Sequence, residues 1–180
     1  MRNQGRKIFF CVSAMAMLFA VPVYAAVGNS QVSSAMQQEE TILLPEGTVS
    51  SKDTVTGVER SSIISSASSE IIDETGGNIG VIIDTLCHIE CDEIRNIAIL
   101  DRLNEETGQW EEQRRYDFKA VKEDFPNTPL TALTNSFTIE NQKTGYYYRI
   151  RGIHSVTTPD GTGQVYSTRT NGLLITEYGR

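Results

Sequence analysis

The chain is poor in the residues that usually carry chemistry. Its 180 residues include three cysteines, two histidines and one tryptophan. So few cysteines exclude a disulfide-scaffolded miniprotein, and the fold must rest on an apolar core. Basic residues are also in deficit, 16 Lys and Arg against 23 Asp and Glu, for a net charge of −7. A surface this acidic repels phosphate backbones, so nucleic acid is not an expected partner. No nucleophile elbow is present, and no cofactor motif calls for a bound group. No sustained helical period runs through the chain, which leaves strands as the organising element.

Other absences are local. No acidic residue precedes Glu39, while Arg2, Arg6 and Lys7 give the N-terminus a positive start. Ile8 to Val21 is a nearly unbroken apolar run, Pro22 breaks it, and Val23-Tyr24-Ala25 ends on a small residue. That succession is the layout of a secretory signal peptide cleaved after Ala25. The expected product is secreted, with no stable membrane insertion after cleavage, because no later apolar run is long enough to span a bilayer. Cleavage removes three basic residues and shifts the net charge from −7 to −10 (−7 − 3).

From Ala26 to Glu70 there is no Phe, Tyr or Trp, and Ser is abundant. Such a segment buries too little apolar surface to offset its ordering entropy. Residues 26–53 are therefore expected to be a flexible Ser-rich tether, and 54–178 the folded domain. Period-two patterns dominate after that boundary. Ile63, Ala67 and Ile71 share one face, and Ile79, Val81, Ile83, Thr85, Cys87 and Ile89 mark one side of a long strand. Glu105-Glu106-Thr107-Gly108 suits a hairpin turn, and Trp110, Tyr116 and Phe118 are placed together on its return strand. Further strands follow at Ser136–Ile139, Tyr146–Ser155 and Gln164–Thr176. About seven short strands predict an all-β, antiparallel β-sandwich.

Gly145-Tyr146-Tyr147-Tyr148-Arg149-Ile150-Arg151-Gly152 resembles the corner and following strand of fibronectin type III and related immunoglobulin-like sandwiches. The resemblance implies a tyrosine hydroxyl bonded back to the main chain, with Tyr146 as the candidate and Tyr148 and Gly152 as further structural residues. Over about 54–178 the chain is similar to a group of uncharacterised small secreted proteins of Gram-positive anaerobes. The elements of that likeness are Thr85-x-Cys87-His88-x-x-Cys91-Asp92-x-Ile94, Leu100-x-Arg102-Leu103, Trp110, the run Gly145 to Ser155, and Ser167-Thr168-x-Thr170-x-Gly172. It implies context and no catalytic residues.

Three states remain open for Cys87-His88-Ile89-Glu90-Cys91: a disulfide between Cys87 and Cys91, two buried thiols, or a metal site using Cys87, His88 and Cys91. On a straight strand the cysteines lie about 13 Å apart at roughly 3.3 Å per residue, so pairing requires a bend. Trp110, Tyr147, Arg149 and Arg151 are the candidates for surface binding, although aromatics more often fill a core. The expected function is a non-enzymatic secreted module for an extracellular protein or glycan. The alternative is a hydrolase, or a carbohydrate-binding protein, with His88 and His154 as the groups to watch.

Overall fold

Alternation settles which side of each strand is buried, and the turns then fold the strands into two layers. A computed structural model describes residues 41–57 and 62–178. The expected leader, its cleavage site and residues 26–40 of the expected tether lie outside them. Nine strands are present among the described residues: β1 Ser50–Thr56, β2 Ile64–Asp73, β3 Ile79–Cys87, β4 Glu93–Asn104, β5 Gln109–Val121, β6 Ala132–Ile139, β7 Tyr147–Thr157, β8 Gly163–Arg169 and β9 Leu173–Leu174. One sheet has the order β1-β2-β3-β6; the other runs β5-β4-β7-β8, with β9 also paired to β7. All of these strand pairs are antiparallel. The chain changes sheets between β3 and β4, β5 and β6, and β6 and β7, which interlocks the layers. The expected all-β sandwich is what the structure shows.

The inner faces meet in two apolar clusters. One gathers Ile71, Ile79, Val81, Ile83, Leu100, Tyr148, Ile150 and their neighbours. The second gathers Ile63, Ile64, Ala67, Cys91, Ile94, Ala120, Leu130 and Val156. Between them on the same inner faces lie the fully buried polar residues Ser69, Thr85, Asn96 and His154, with Thr168 beside them. Each seam is closed differently. On one side Tyr116 and Phe118 of β5 tilt onto Phe137 of β6, with ring centroids 4.7 and 5.2 Å apart. On the other, the Asp53 carboxylate accepts the Arg169 amide at 2.7 Å and the Ser51 hydroxyl accepts the Asn171 amide at 3.0 Å.

Several expectations are corrected. The domain begins before residue 54: Ser50 to Thr56 pair with β2 in a continuous ladder. Leu44 donates its amide to Gly172 and packs on the first apolar cluster. Polar inward positions hid β1, because Ser51 and Asp53 hold the seam by hydrogen bonds rather than by apolar contact. The strand count is nine rather than about seven, because β1 was missed and because the expected strand 164–176 breaks at Thr170–Gly172 into β8 and β9. β6 also starts earlier, at Ala132. Strand β3 stops at Cys87, leaving Ile89 exposed instead of on its buried face.

A further correction concerns β5. Gly108, at φ +68°, makes the β4–β5 hairpin turn as expected. However, the register between β4 and β5 shifts between Leu100 and Asp101, leaving Gln113 as an extra residue. One inserted residue inverts every side chain beyond it. Trp110 therefore pairs with Leu103 on the outer face, while Tyr116 pairs with Ala98 on the inner one.

Removing residues before Thr54 should cost stability, relative to a chain starting at Thr41. Half of β1 and the two seam hydrogen bonds would be lost, for at least about 2 kcal/mol by the usual cost of stranded amides. Urea titration of the two chains measures this, and superimposable curves would mean residues 41–53 are dispensable.

Candidate functional site

The outer face of the five-stranded sheet carries the surface-binding candidates. Alternation on β7 turns Tyr148, Ile150, Gly152 and His154 inward, and Tyr147, Arg149 and Arg151 outward. Asp101 of β4 lies opposite Arg149 and is almost wholly buried on that outer face. Arg149 Nε donates to Asp101 at 3.0 Å; Arg151 donates from Nε at 2.7 Å and from Nη2 at 2.8 Å. Arg151 also reaches Glu112 at 3.3 Å. Burial lowers the pKa of Arg149, whereas hydrogen bonding to Asp101 raises that of Arg151. Both stay cationic at neutral pH.

Trp110 joins this cluster because of the β5 bulge. The Arg149 guanidinium lies 4.4 Å from the centre of its ring, a cation–π contact. Gly172 allows the indole and Leu43 to come close: a Cβ there would stand 2.7 Å from Leu43 and 3.1 Å from Trp110. Thr41, just before Leu43, accepts a hydrogen bond from Arg149. Residues 41–44 thus form a strap against the outer face, tied by a parallel bridge between Leu43 and Gly172. Beside the strap an open groove of about 710 Å³ is lined by Thr41, Ile42, Leu43, Leu103, Gly108 and Trp110. Ile42 is 63% exposed. Tyr147 is placed separately, near the start of β7, paired with Leu174.

His154 sits elsewhere, between the sheets with no exposed surface. Its Nδ1 lies 2.9 Å from the Thr85 hydroxyl and its Nε2 lies 2.9 Å from the Thr168 hydroxyl. Proton counting fixes the direction of the chain. Thr85 gives its single proton to Asn96 Oδ1 at 2.6 Å, so it accepts from Nδ1–H. Nε2 then accepts from Thr168, which accepts from Ser69 at 2.6 Å. Asn96 in turn donates to the Leu133 carbonyl at 2.9 Å. Gly152 makes the crossing possible, because a Cβ there would stand 2.2 Å from Ser69 Oγ and 2.3 Å from Thr168 Oγ1.

Burial pushes the His154 pKa down from 6.5 to about 4. As pH falls below 6.5, the unfolded chain takes a proton that the folded one refuses. Stability present above that pH is therefore lost towards pH 4, by about 3 kcal/mol at 1.4 kcal/mol per pH unit. With both ring nitrogens engaged and no solvent access, His154 is not placed to serve as a general base. His88 is exposed in the β3–β4 loop. The two histidines do not share a site.

Cys87 and Cys91 are both free thiols in the second apolar cluster. Burial, and next the adjoining Cys91 thiol, push Cys87 up to about 12. Among the described residues no three His, Cys, Asp or Glu side chains group as metal ligands, so the Cys87–His88–Cys91 candidate is not assembled. Exposed His88 lies outside the buried thiol pair. Another correction concerns the tyrosine corner. Tyr148, not Tyr146, is fully buried and donates its hydroxyl to the Lys143 carbonyl at 3.1 Å. Tyr146 is partly buried and faces the Arg102 guanidinium, 5.3 Å from its ring centre.

A family model described as a family of unknown function, DUF6147, matches residues 43–173, and the chain belongs to that family. No curated protein matches the chain. The match starts at Leu43, so it takes in Leu43 and Leu44 of the strap, but not Thr41 or Ile42, and all of β1.

Tyr148→Phe should lose about 0.5–1.5 kcal/mol, the net worth of one hydroxyl–carbonyl bond. Tyr146→Phe keeps the ring that faces Arg102 and should lose less than about 0.5 kcal/mol. Denaturant unfolding of both variants checks the assignment, and the reverse order would return the corner to Tyr146.

Proposed function

We propose that the protein is a secreted, non-enzymatic binding module of the immunoglobulin or fibronectin type III kind, whose partner is an extracellular protein or glycan. The observation that carries the binding reading is the groove between the strap and the β4–β5 hairpin. It sets one aromatic edge and exposed aliphatic side chains beside an arginine cluster, and aromatic and Arg residues are typical anchors of protein interfaces. The sandwich kind is supported by the order β2-β3-β6 against β5-β4-β7-β8 and by the Tyr148 hydroxyl bonded five residues back. Export rests on the leader-like succession of residues 1–25. The setting is a Gram-positive anaerobe, as the sequence resemblance implies.

The non-enzymatic reading is supported by the inaccessibility of His154 and its separation from His88. Arg149 and Arg151 are already committed to Asp101, so they shape the groove wall and hold Trp110. They are poor free anchors for a phosphate or carboxylate, because taking one would leave Asp101 buried without its partners.

Trp110 is the sole tryptophan, so tryptophan emission, excited selectively over tyrosine, reports on the groove. Titration with peptidoglycan fragments, mucin glycans and host surface proteins should shift its emission for one of these classes. Ile42→Asp, at an exposed groove position, should then weaken that binding about ten-fold or more, as loss of an interface anchor does. Unchanged emission with all three classes, or wild-type affinity in Ile42→Asp, would overturn the groove as the binding site.

A further inference from the structure

The β3–β4 crossover solves a distance problem that the sequence poses. Four residues separate Cys87 from Cys91, about 13 Å along a straight strand, whereas a disulfide needs Cα atoms within about 7 Å. The strand stops at Cys87, the chain bends at His88 and Ile89, and β4 starts at Glu93. Two main-chain bonds hold the bend on a common support: the Cys87 amide donates to the Thr131 carbonyl at 2.8 Å, and the Cys91 amide to the Leu130 carbonyl at 2.9 Å. Adjacent carbonyls thus anchor both cysteines. Their side chains enter the same apolar cluster, and the two thiols adjoin.

The intervening residues point the other way. His88, Ile89 and Glu90 are all exposed, while Cys91 is fully buried and directs its thiol towards the Ile89 carbonyl at 3.7 Å. A covalent bond between the sulfurs would close a short loop whose three inner residues already face solvent. Nothing would have to leave the core for it to form.

We propose that Cys87 and Cys91 are a dithiol pair, poised in the folded chain to form an intramolecular disulfide with a low-molecular-weight disulfide as oxidant. Cys87 is the entry point, because it keeps partial exposure while Cys91 has none. Once deprotonated, which burial of its thiol disfavours, Cys87 attacks one sulfur of the oxidant, making a mixed disulfide and releasing one reduced thiol. The Cys91 thiolate then attacks the Cys87 sulfur, breaking the mixed disulfide and releasing the second reduced thiol. Two thiol protons and two electrons pass from the protein to the oxidant, which is reduced to two thiols. The product pins the end of β3 to the start of the crossover into the second sheet.

The test uses the full chain, reduced and then equilibrated with graded mixtures of oxidised and reduced glutathione. After quenching with iodoacetamide, trypsin releases residues 61–95 as one peptide holding both cysteines, apart from Cys11. Formation of the bond leaves this peptide unalkylated and lighter by two hydrogens. Cleavage after Glu90 then gives halves that separate only after reduction. The folded chain should hold the bond against a mixture about ten-fold more reducing than the same chain in urea, because the fold pre-positions the sulfurs. Alkylation of both cysteines in every mixture, separate glutathione adducts, or equal behaviour in urea would overturn the proposal. Cys91→Ser supplies a second reading: it should stop at the Cys87 mixed disulfide, and absence of that adduct would count against Cys87 as the entry point.

Discussion

A single buried imidazole sets the terms on which the two sheets meet. His154 on β7 reaches Thr85 on β3 and Thr168 on β8, and through them Asn96 on β4 and Ser69 on β2. Each hydroxyl has one proton to give, so the chain has one direction and the ring one tautomer. A polar group buried without a partner costs about 1–3 kcal/mol, and this belt contains five side chains in close succession. Among the described residues no buried side-chain nitrogen or oxygen is left without a partner. A slip of one sheet past the other would strand several together. Apolar packing permits many registers at similar cost; the belt selects among them.

The belt also explains the division of the core and the place of Gly152. The apolar clusters lie on either side of it. Removing the Cβ at Gly152 makes room for three polar side chains, so that glycine serves close approach and not a turn. The outer face depends on the same strands. Once β7 turns His154 inward, Arg149 and Arg151 face out over Asp101, and the β5 bulge brings Trp110 to meet them. Strap, arginines and groove are thus downstream of the register that the belt fixes.

Much of this was legible in the sequence, and the failures share a cause. Faces of β2, β3 and β7 could be read from period-two patterns, whereas β4 combines the apolar run Ile97 to Leu100 with an inward Asn96 and shows no alternation. β1 could not be read, because its inward groups are Ser51 and Asp53, whose value lies in amide partners more than a hundred residues away. Trp110 was assigned the wrong face because a bulge has no signature in alternation. The tyrosine corner was placed two residues early: Tyr146 and Tyr148 share a face, and only the position of the Lys143 carbonyl distinguishes them. His154 was noticed as chemistry and is instead architecture. The alternation of Tyr148, Ile150, Gly152, His154 and Val156 puts it indoors, two residues from the glycine of β7.

The most direct measurement is a pH titration of the His154 imidazole by nitrogen-15 NMR. His88, the other histidine, is exposed and serves as the internal contrast. The account predicts that His154 stays neutral from pH 8 to about 5, as the Nδ1–H tautomer with a slowly exchanging ring proton, consistent with a pKa pushed down to about 4. A His154 ring that titrates near 6.5, or that averages between tautomers, would contradict it. The belt would then not be what holds the sheets in register.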